Sequence, residues 1–237
     1  MPKLYVSGYD EMLNYGKVAV GNKAYNLALL STKVDNLNLP KSAVLLSDAN
    51  DIATAKKDIS DYVISSIGYP LIARSSTTVE DSNDSFAGLF LSKVCYNKSE
   101  LLIAIDNVLN SPLTEEVIKY CEFKRIDKKT IKVAILIQEY INPDVSGVMF
   151  TKHPLSNDSS IILIEYKEKT SDAVTGGTVI PHNMVIKKDK TISYNPMFNQ
   201  LRSIALSAED AFCYPLDIEW IFSDNKIWIV QIRQITT

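Results

Sequence analysis

The C-terminal stretch from Tyr214 to Thr237 constrains the fold more than any other part of this chain. Apolar and polar residues alternate on both sides of a short polar break, Ser223-Asp224-Asn225. Alternation places successive side chains on opposite faces of a strand, and two such runs joined by a short polar turn are typical of a β-hairpin. The stretch therefore predicts a hairpin with one buried face.

Four polar side chains share these strands with the apolar residues. Asp217 and Glu219 are two residues apart on the first strand, and Gln231 and Arg233 are two apart on the second, so each pair points to one side. Together they could form one patch, with a carboxylate and an amide oxygen for a cation and a guanidinium for phosphate. A half-solvated hairpin with a surface salt bridge explains the same pattern, so the hairpin alone leaves both interpretations open.

The composition narrows the class of protein. With 237 residues, 46% of them hydrophobic and 22% charged, the chain is typical of a soluble protein with one large domain or two closely joined lobes. The formal net charge of −3 argues against nucleic-acid binding through bulk electrostatic attraction. No apolar run approaches the roughly 18 residues of a membrane span, and Met1-Pro2-Lys3 opens no signal peptide. We therefore expect neither nucleic acid nor a membrane as a partner.

Cysteine and glycine usage adds two expectations. Cys95, Cys121 and Cys213 are widely spaced and odd in number, which favours reduced thiols and a cytoplasmic location over disulfides or a zinc site. Neither a Gly-x-x-x-x-Gly-Lys nor a Gly-x-Gly-x-x-Gly segment occurs. Any bound nucleotide would therefore be held without a P-loop or a Rossmann turn.

Two segments carry a cation in a context that suits phosphate. Gly21 ends a short apolar run, and the residues after it fall at helical spacing, so Lys23 lies in the first turn of a predicted helix, where backbone N–H groups favour an anion. A solvated lysine on an amphipathic helix is the alternative interpretation. Arg74 ends a buried apolar strand and is followed by four hydroxyl residues, 75–78, an arrangement suited to binding phosphate oxygens.

The periodicity of the remaining chain predicts alternating strands and helices. Predicted strands are 43–47, Leu89 to Val94, Val133 to Ile137, a strand starting at Val145, 160–166 and 183–188; predicted helices are 48–66, 98–110, 112–123, and 199–210 with Asn199 as its N-terminal cap.

Taken together and in this order, the motifs resemble the nucleotide-binding domain of the phosphoenolpyruvate synthase and pyruvate phosphate dikinase family, which rifampicin phosphotransferase also contains. The resembling segments are Gly21-Asn-Lys-Ala-Tyr-Asn-Leu27, Ala73-Arg-Ser-Ser-Thr-Thr-Val-Glu-Asp81, Ser85-Phe-Ala-Gly88, Gln138-Glu-Tyr-Ile141, Asp144-Val-Ser-Gly-Val-Met-Phe-Thr-Lys-His-Pro154, Asp217-Ile-Glu-Trp220 and Gln231-Ile-Arg233. The resemblance implies an α+β ATP-grasp fold: one domain over 1–237, with approximate lobes 1–132 and 133–237 whose antiparallel sheets and flanking helices close over ATP.

The resemblance also implies a role for each matched residue in an ATP- and Mg²⁺-dependent phosphotransferase. The phosphate-binding and catalytic cations would be Lys23, Arg74 and Arg233, with Arg233 on the transferring phosphoryl group, and the phosphate cover would be lined by Gly88 and Ser92. The adenine edge would be met by Gln138 and by the backbone of Tyr140 and Ile141. Mg²⁺ would be bound by Glu219 and Gln231. Such a constellation agrees with phosphoryl transfer, which depends mainly on positioning and charge neutralisation.

Departures from the family pattern concern the acceptor of the phosphoryl group. The family's Glu-x-x-Trp-Gly-Leu-Gly-Glu is here Glu165-Tyr-Lys-Glu-Lys-Thr-Ser-Asp172, so the segment 168–172 is altered. Full dikinases continue into a domain whose histidine carries the phosphoryl group. This chain has only His153 and His182, which we interpret as surface loop residues rather than phosphocarriers.

Three functional hypotheses follow. The first is a phosphotransferase component that serves a phosphohistidine domain, on another chain or beyond this sequence, and through it a small-molecule acceptor. The second is a stand-alone ATP-grasp kinase or ligase that acts directly on a small molecule. The third, a nucleotide-binding module without turnover, is disfavoured because both Glu219 and Gln231 are retained together with the cations.

Overall fold

A computed structural model describes residues 3–79, 92–127, 131–168, 181–190 and 195–235. The chain divides into two compact units, and each unit is built on its own sheet. The described residues of 3–29 and 41–140 belong to the first unit, and those of 30–40 and 141–235 to the second. All the strand pairs within the two sheets are antiparallel, and helices accompany both sheets, so the predicted α+β class is confirmed.

The first unit contains a sheet in the order β1-β2-β5-β3-β4. Its strands are β1 Tyr5–Ser7, β2 Ser42–Leu45, β3 Leu71–Thr77, β4 Ser92–Cys95 and β5 Val133–Glu139, and its helices are α1 Tyr9–Tyr15, the first part of α2 Lys17–Lys33, α3 Ile52–Ser66, α4 Lys98–Asn110 and α5 Glu115–Lys124. A 3-10 turn, Ser111–Leu113, precedes α5.

The two faces of the first sheet differ in chemistry. Alternate residues of β3 and β5, such as Ala73 and Ile135, lie with α3, α4 and α5 in one apolar core. The intervening residues, among them Arg74 and Gln138, point to the other face. That face receives α1 and α2, through a hydrogen bond between the hydroxyls of Tyr9 and Ser42 and one from the N–H of Ala24 to Ser76 Oγ.

The second unit contains a sheet in the order β10-β9-β6-β7-β8. Its elements are β6 Val145–Phe150, β7 Ile161–Glu168, β8 His182–Lys187, α6 Pro196–Phe212, β9 Leu216–Ser223 and β10 Lys226–Gln234. Helix α6 buries an apolar stripe that includes Phe198 and Leu201. The ring centroids of Phe198 and of Tyr166 on β7 are 5.4 Å apart. Trp220 on β9 is 1% exposed, which identifies the face of the sheet that forms the core.

The predicted elements are largely present, and helix α6 needs a correction. Helix α6 begins at Pro196, not at 199, and its N-cap is Asn195, whose side chain accepts from the N–H groups of Met197 and Phe198. The predicted Asn199 cap is therefore wrong. Proline at the first helical position needs no N–H partner, so Asn195-Pro196 is a favourable start that the apolar spacing did not reveal. In the described part of the chain, no helix is long and apolar enough to cross a membrane.

Candidate functional site

Lys23 lies at a break in helix α2. Gly21 has φ 75° and ψ 170°, so the helix is interrupted there and starts again just beyond. A Cβ at position 21 would come under 3.0 Å from the backbone carbonyl of Ser76 on β3 and 2.5 Å from its Oγ, so only glycine fits. Lys23 is therefore in the first turn of the restarted helix, as the sequence predicted.

Strand β3 holds this helix start in place. The Oγ of Ser76 accepts the N–H of Ala24 at 3.2 Å, and so acts as a cap for one of the N–H groups that a helix start leaves unpaired. The ammonium of Lys23 donates to the carbonyl oxygen of Ser75 at 3.0 Å and lies 3.5 Å from its Oγ. The lysine is thereby fixed next to the strand that carries Arg74.

Arg74 lies in the middle of strand β3, which continues to Thr77, so the prediction that the strand ends at Arg74 is wrong. It pairs with Ser92 on β4 and with Leu136 on β5, and it is only 9% exposed. Directly paired residues point to the same side, so Arg74 and the exposed Ser92 share a face. A guanidinium this deeply buried needs oxygen acceptors around it, and its planar fork suits phosphate oxygens.

Gln138 is on the same face as Arg74. It pairs with Ile72, two residue pairs along the ladder from Arg74–Leu136, so Gln138 and Arg74 are diagonal neighbours about 7–8 Å apart. The side chain is 1% exposed, and its Nε2 donates to Ser42 Oγ at 3.4 Å. Sequence reasoning missed Ser42 and its neighbour Tyr9, because 33 and 96 residues separate the members of these pairs.

The backbone after Gln138 is partly committed within the first unit. The N–H of Tyr140 donates to the carbonyl oxygen of Pro70 at 3.0 Å, and the N–H of Glu139 donates to that of Lys41 at 2.9 Å. Tyr140 could therefore meet a nucleobase through its carbonyl oxygen, not its N–H. Ile141, 8% exposed, is the first residue of this part of the second unit.

Two of the predicted features lie outside the described residues. Gly88, with the whole motif Ser85-Phe-Ala-Gly88, falls in the undescribed range 80–91. Of the altered segment 168–172, only Glu168 is described, as the last residue of β7.

In the second unit, the predicted hairpin is present and its polar residues are in register. Gln231 pairs directly with Glu219, and Arg233 pairs directly with Asp217. The turn uses Asp224 and Asn225, both with positive φ, a backbone conformation that suits a tight hairpin turn. The four polar side chains therefore lie on one face of the sheet.

A β-bulge produces this arrangement. The register shifts between Ile229, which pairs with Trp220, and Gln231, which pairs with Glu219, so Val230 is an extra residue on β10. In an unbroken strand, Gln231 would share the core face of Ile229, because the two are two residues apart. The bulge moves Gln231 to the polar face and leaves the fully buried Ile232 in the core.

Glu219 and Gln231 have the chemistry of a site for a hard cation. Gln231 is 6% exposed and Glu219 is half-buried, and they supply a carboxylate and an amide oxygen from opposite strands. Two protein oxygens suit Mg²⁺, which keeps several waters and shares phosphate oxygens. Within the described ranges, no group of three or more His, Cys, Asp or Glu residues is arranged to hold a metal ion.

Asp217 forms an ion pair with Arg233, a contact that the alternative interpretation of the hairpin, a surface salt bridge, also expected. Nε and Nη2 of Arg233 lie 2.8 and 2.7 Å from Oδ2 of Asp217, and the arginine side chain remains 32% exposed. Burial raises the pKa of the Asp217 carboxyl above its ordinary value; Arg233 offsets part of this rise, while the neighbouring carboxylate of Glu219 adds to it. The patch thus carries carboxylate repulsion that a bound cation would relieve, so the residues fit Mg²⁺.

The two histidines occupy different settings. Nδ1 of His153 accepts the N–H groups of Leu155 and Ser156 at 3.2 and 3.1 Å, so this nitrogen stabilises a turn. His182 is exposed but begins strand β8 instead of lying in a loop, and its ring is 5.3 Å from that of Tyr166.

Comparison with known proteins identifies relatives. The family model described as pyruvate phosphate dikinase, AMP/ATP-binding domain, matches residues 47–197. A probable phosphoenolpyruvate synthase of Archaeoglobus fulgidus is 29% identical over 69% of this chain and 26% of its own length. A rifampicin phosphotransferase of Bacillus cereus is 27% identical over 69% of this chain and 23% of its own length. The phosphoenolpyruvate synthase of Pyrococcus furiosus is 23% identical over 90% of this chain and 31% of its own length. The chain thus spans about a quarter to a third of the length of these relatives.

Solved structures show the same fold at low identity. The D-alanine–D-alanine ligase of Bacillus anthracis complexed with ATP has a TM-score of 0.50 and 12% identity, over 92% of this chain and 55% of the ligase. The VanG D-Ala:D-Ser ligase of Enterococcus faecalis has the same TM-score and identity, over 92% of this chain and 53% of that ligase. These ligases have the ATP-grasp fold, so the predicted fold is confirmed.

Proposed function

Because the chain belongs to the pyruvate phosphate dikinase AMP/ATP-binding domain family, we propose that it is an ATP- and Mg²⁺-dependent phosphotransferase that passes a phosphoryl group to a histidine-carrier domain or partner. The observation that carries the proposal is the bulged hairpin, whose register brings Glu219, Gln231 and Arg233 to one face. A hairpin selected for stability alone has no need of a bulge that gathers these three groups.

The first unit supplies cations and base contacts. Lys23 and Arg74 neutralise the phosphates of ATP, with Ser92 and the glycine-containing motif at Gly88 as the phosphate cover. Gln138 meets the adenine, together with the backbone carbonyl of Tyr140 and the backbone of Ile141. Support comes from the fixed position of Lys23 beside β3 and from the burial of Arg74 and Gln138.

The second unit supplies the metal site and the group at the reacting phosphorus. Glu219 and Gln231 would hold Mg²⁺, which would neutralise negative charge on the phosphates of ATP. Arg233, oriented by Asp217, contacts the transferring phosphoryl group with its exposed edge. In the transfer, a phosphorus–nitrogen bond forms to an imidazole of the carrier as a phosphorus–oxygen bond of ATP breaks; the leaving phosphate oxygen keeps the electron pair, and the imidazole loses its N–H proton.

A reducing compartment such as the cytoplasm suits the chain. Cys95, Cys121 and Cys213 all lie in the described part of the chain and form no disulfide there; Cys95 and Cys121 are buried, and Cys213 is exposed. The final acceptor of the phosphoryl group, after the histidine carrier, would be a small molecule.

Calorimetric titration with Mg·ATP tests the phosphate contacts. We expect Lys23→Ala and Arg74→Ala each to weaken binding about tenfold or more, since a hydrogen bond to a charged group contributes about 1.5–3 kcal/mol. Lys17→Ala, at the exposed start of the same helix α2, is the control and should bind as the wild type does. Folded variants at positions 23 and 74 with wild-type affinity would show that the phosphate assignment is wrong.

Transfer from labelled ATP tests the acceptor. We expect acid-labile label on an added histidine-domain protein and no stable label on the isolated chain. Label on His153 or His182 would contradict the proposal, because the chain would then be its own carrier. Label found only on an added small molecule would favour a stand-alone kinase.

A further inference from the structure

A buried polar cluster joins helix α1 to the sheet of the first unit, and we call its members Tyr9, Ser42 and Gln138 the tyrosine cluster. The hydroxyls of Tyr9 and Ser42 are 3.0 Å apart, and Nε2 of Gln138 donates to Ser42 Oγ at 3.4 Å. Gln138 also forms a hydrogen bond with the Tyr9 hydroxyl. Ser42 and Gln138 are 6% and 1% exposed, so these contacts are largely shielded from water.

The contacts determine which end of the Gln138 carboxamide faces the cluster. Burial raises the pKa of Tyr9 to about 12, and the hydrogen bonds with Ser42 and Gln138 offset only part of this rise. Tyr9 therefore stays a neutral phenol. An amide nitrogen donates hydrogen bonds and accepts none, so the donation to Ser42 Oγ commits Nε2 to the cluster. The carbonyl oxygen, Oε1, is the end left to meet a ligand.

The position of Gln138 makes this orientation consequential. It shares a face with Arg74 as a diagonal neighbour on the adjacent strand. If Arg74 binds phosphate, as proposed above, Gln138 lies within reach of the same nucleotide.

We infer that Tyr9 and Ser42 are positioning residues that hold the Gln138 carboxamide with Oε1 toward the nucleobase, and thereby select a 6-aminopurine over a 6-oxopurine. This inference rests on the proposed function. The exocyclic amino group of adenine donates a hydrogen bond to Oε1. The 6-oxo group of hypoxanthine or guanine is an acceptor, which would face another acceptor and leave both unpaired.

The ratio of the dissociation constants for ITP and ATP tests the inference. These nucleotides differ in the group at position 6, and they share the ribose and the triphosphate. For the wild type we expect a ratio of about ten or more. Tyr9→Phe and Ser42→Ala should each lower it about fivefold, the effect of about 1 kcal/mol of lost hydrogen bonding.

Three controls separate positioning from a general loss of structure. Ser42→Thr keeps the hydroxyl and should keep the ratio. Ser47→Ala removes a hydroxyl of the same unit that donates to the carbonyl oxygen of Val18, and it should leave the ratio unchanged. Affinity for inorganic tripolyphosphate, which has no base, should be equal in all variants, whereas a collapsed site would lower it.

The outcomes distinguish this inference from the function on which it rests. A wild type that binds neither ATP nor tripolyphosphate overturns both. A wild type that prefers ATP, with the same preference in folded Tyr9→Phe and Ser42→Ala, overturns only the positioning role. A wild type that binds ATP and ITP equally overturns the selection of a 6-aminopurine.

Discussion

Replacement of Gly21 by alanine would test how β3 places the helix that carries Lys23. Gly21 has φ +75°, and an added Cβ would lie less than 3.0 Å from the carbonyl group of Ser76 and 2.5 Å from the Oγ of that residue. The conformation, φ 75° with ψ 170°, is essentially confined to glycine and costs about 1–2 kcal/mol for an L-residue. The overlap adds about 1–3 kcal/mol, and displacement of Ser76 removes its hydrogen bond to Ala24, worth about 1 kcal/mol. We expect a total loss of about 3–6 kcal/mol in the free energy of unfolding.

Gly68 provides a matched control in the same unit. Its φ is +87°, but a Cβ there would meet no atom within 4 Å. Gly68→Ala should therefore cost only the conformational part, about 1–2 kcal/mol. Urea unfolding measures both, and the difference of about 2–4 kcal/mol corresponds to melting temperatures about 4–16 °C apart. Equal destabilisation of the two variants would refute the argument that close approach to β3 requires glycine at position 21.

Two further predictions concern the second unit. Burial raises the pKa of Asp217 above its ordinary 3.8, so the folded state favours the protonated carboxyl. The contribution of this carboxyl to the free energy of unfolding is therefore fully present below pH 3.8 and is lost as the pH rises through the raised pKa. The stability of the wild type relative to Asp217→Asn, from urea unfolding across pH, should therefore fall as pH rises; an increase would mean that the attraction of Arg233 outweighs burial. Asn195→Ala removes the acceptor for the N–H groups of Met197 and Phe198 and should cost about 1 kcal/mol; thermal melting that matches the wild type would contradict the assigned cap.

Local sequence patterns predicted the elements well where one face is apolar. The helix at 98–110 and the C-terminal hairpin are present with nearly the expected bounds, because an apolar period fixes both the type of element and the face it buries. The restart of α2 after Gly21 was also readable, since glycine at the end of an apolar run marks a break.

Tertiary contacts determined what local patterns could not. The spacing of Ile229, Gln231 and Arg233 is regular, and only the pairing of β10 with β9 reveals the bulge that turns the last two away from the core. The tyrosine cluster joins residues from α1, β2 and β5, so no window of sequence contains it. The Asn195 cap carried a local signal, a polar residue before Pro196, which the apolar spacing from 199 concealed.

The central claim is that the bulged hairpin binds the metal ion that accompanies ATP. Calorimetric titration with ATP, with and without Mg²⁺, tests it in the wild type and in Glu219→Gln, with Glu116→Gln on the exposed side of α5 as the control. We expect Mg²⁺ to strengthen ATP binding in the wild type and in the control. In Glu219→Gln this enhancement should be lost, while the metal-free affinity stays within about twofold, well under 1 kcal/mol. A folded Glu219→Gln variant with the full enhancement would contradict the claim and make the hairpin a structural edge of the sheet.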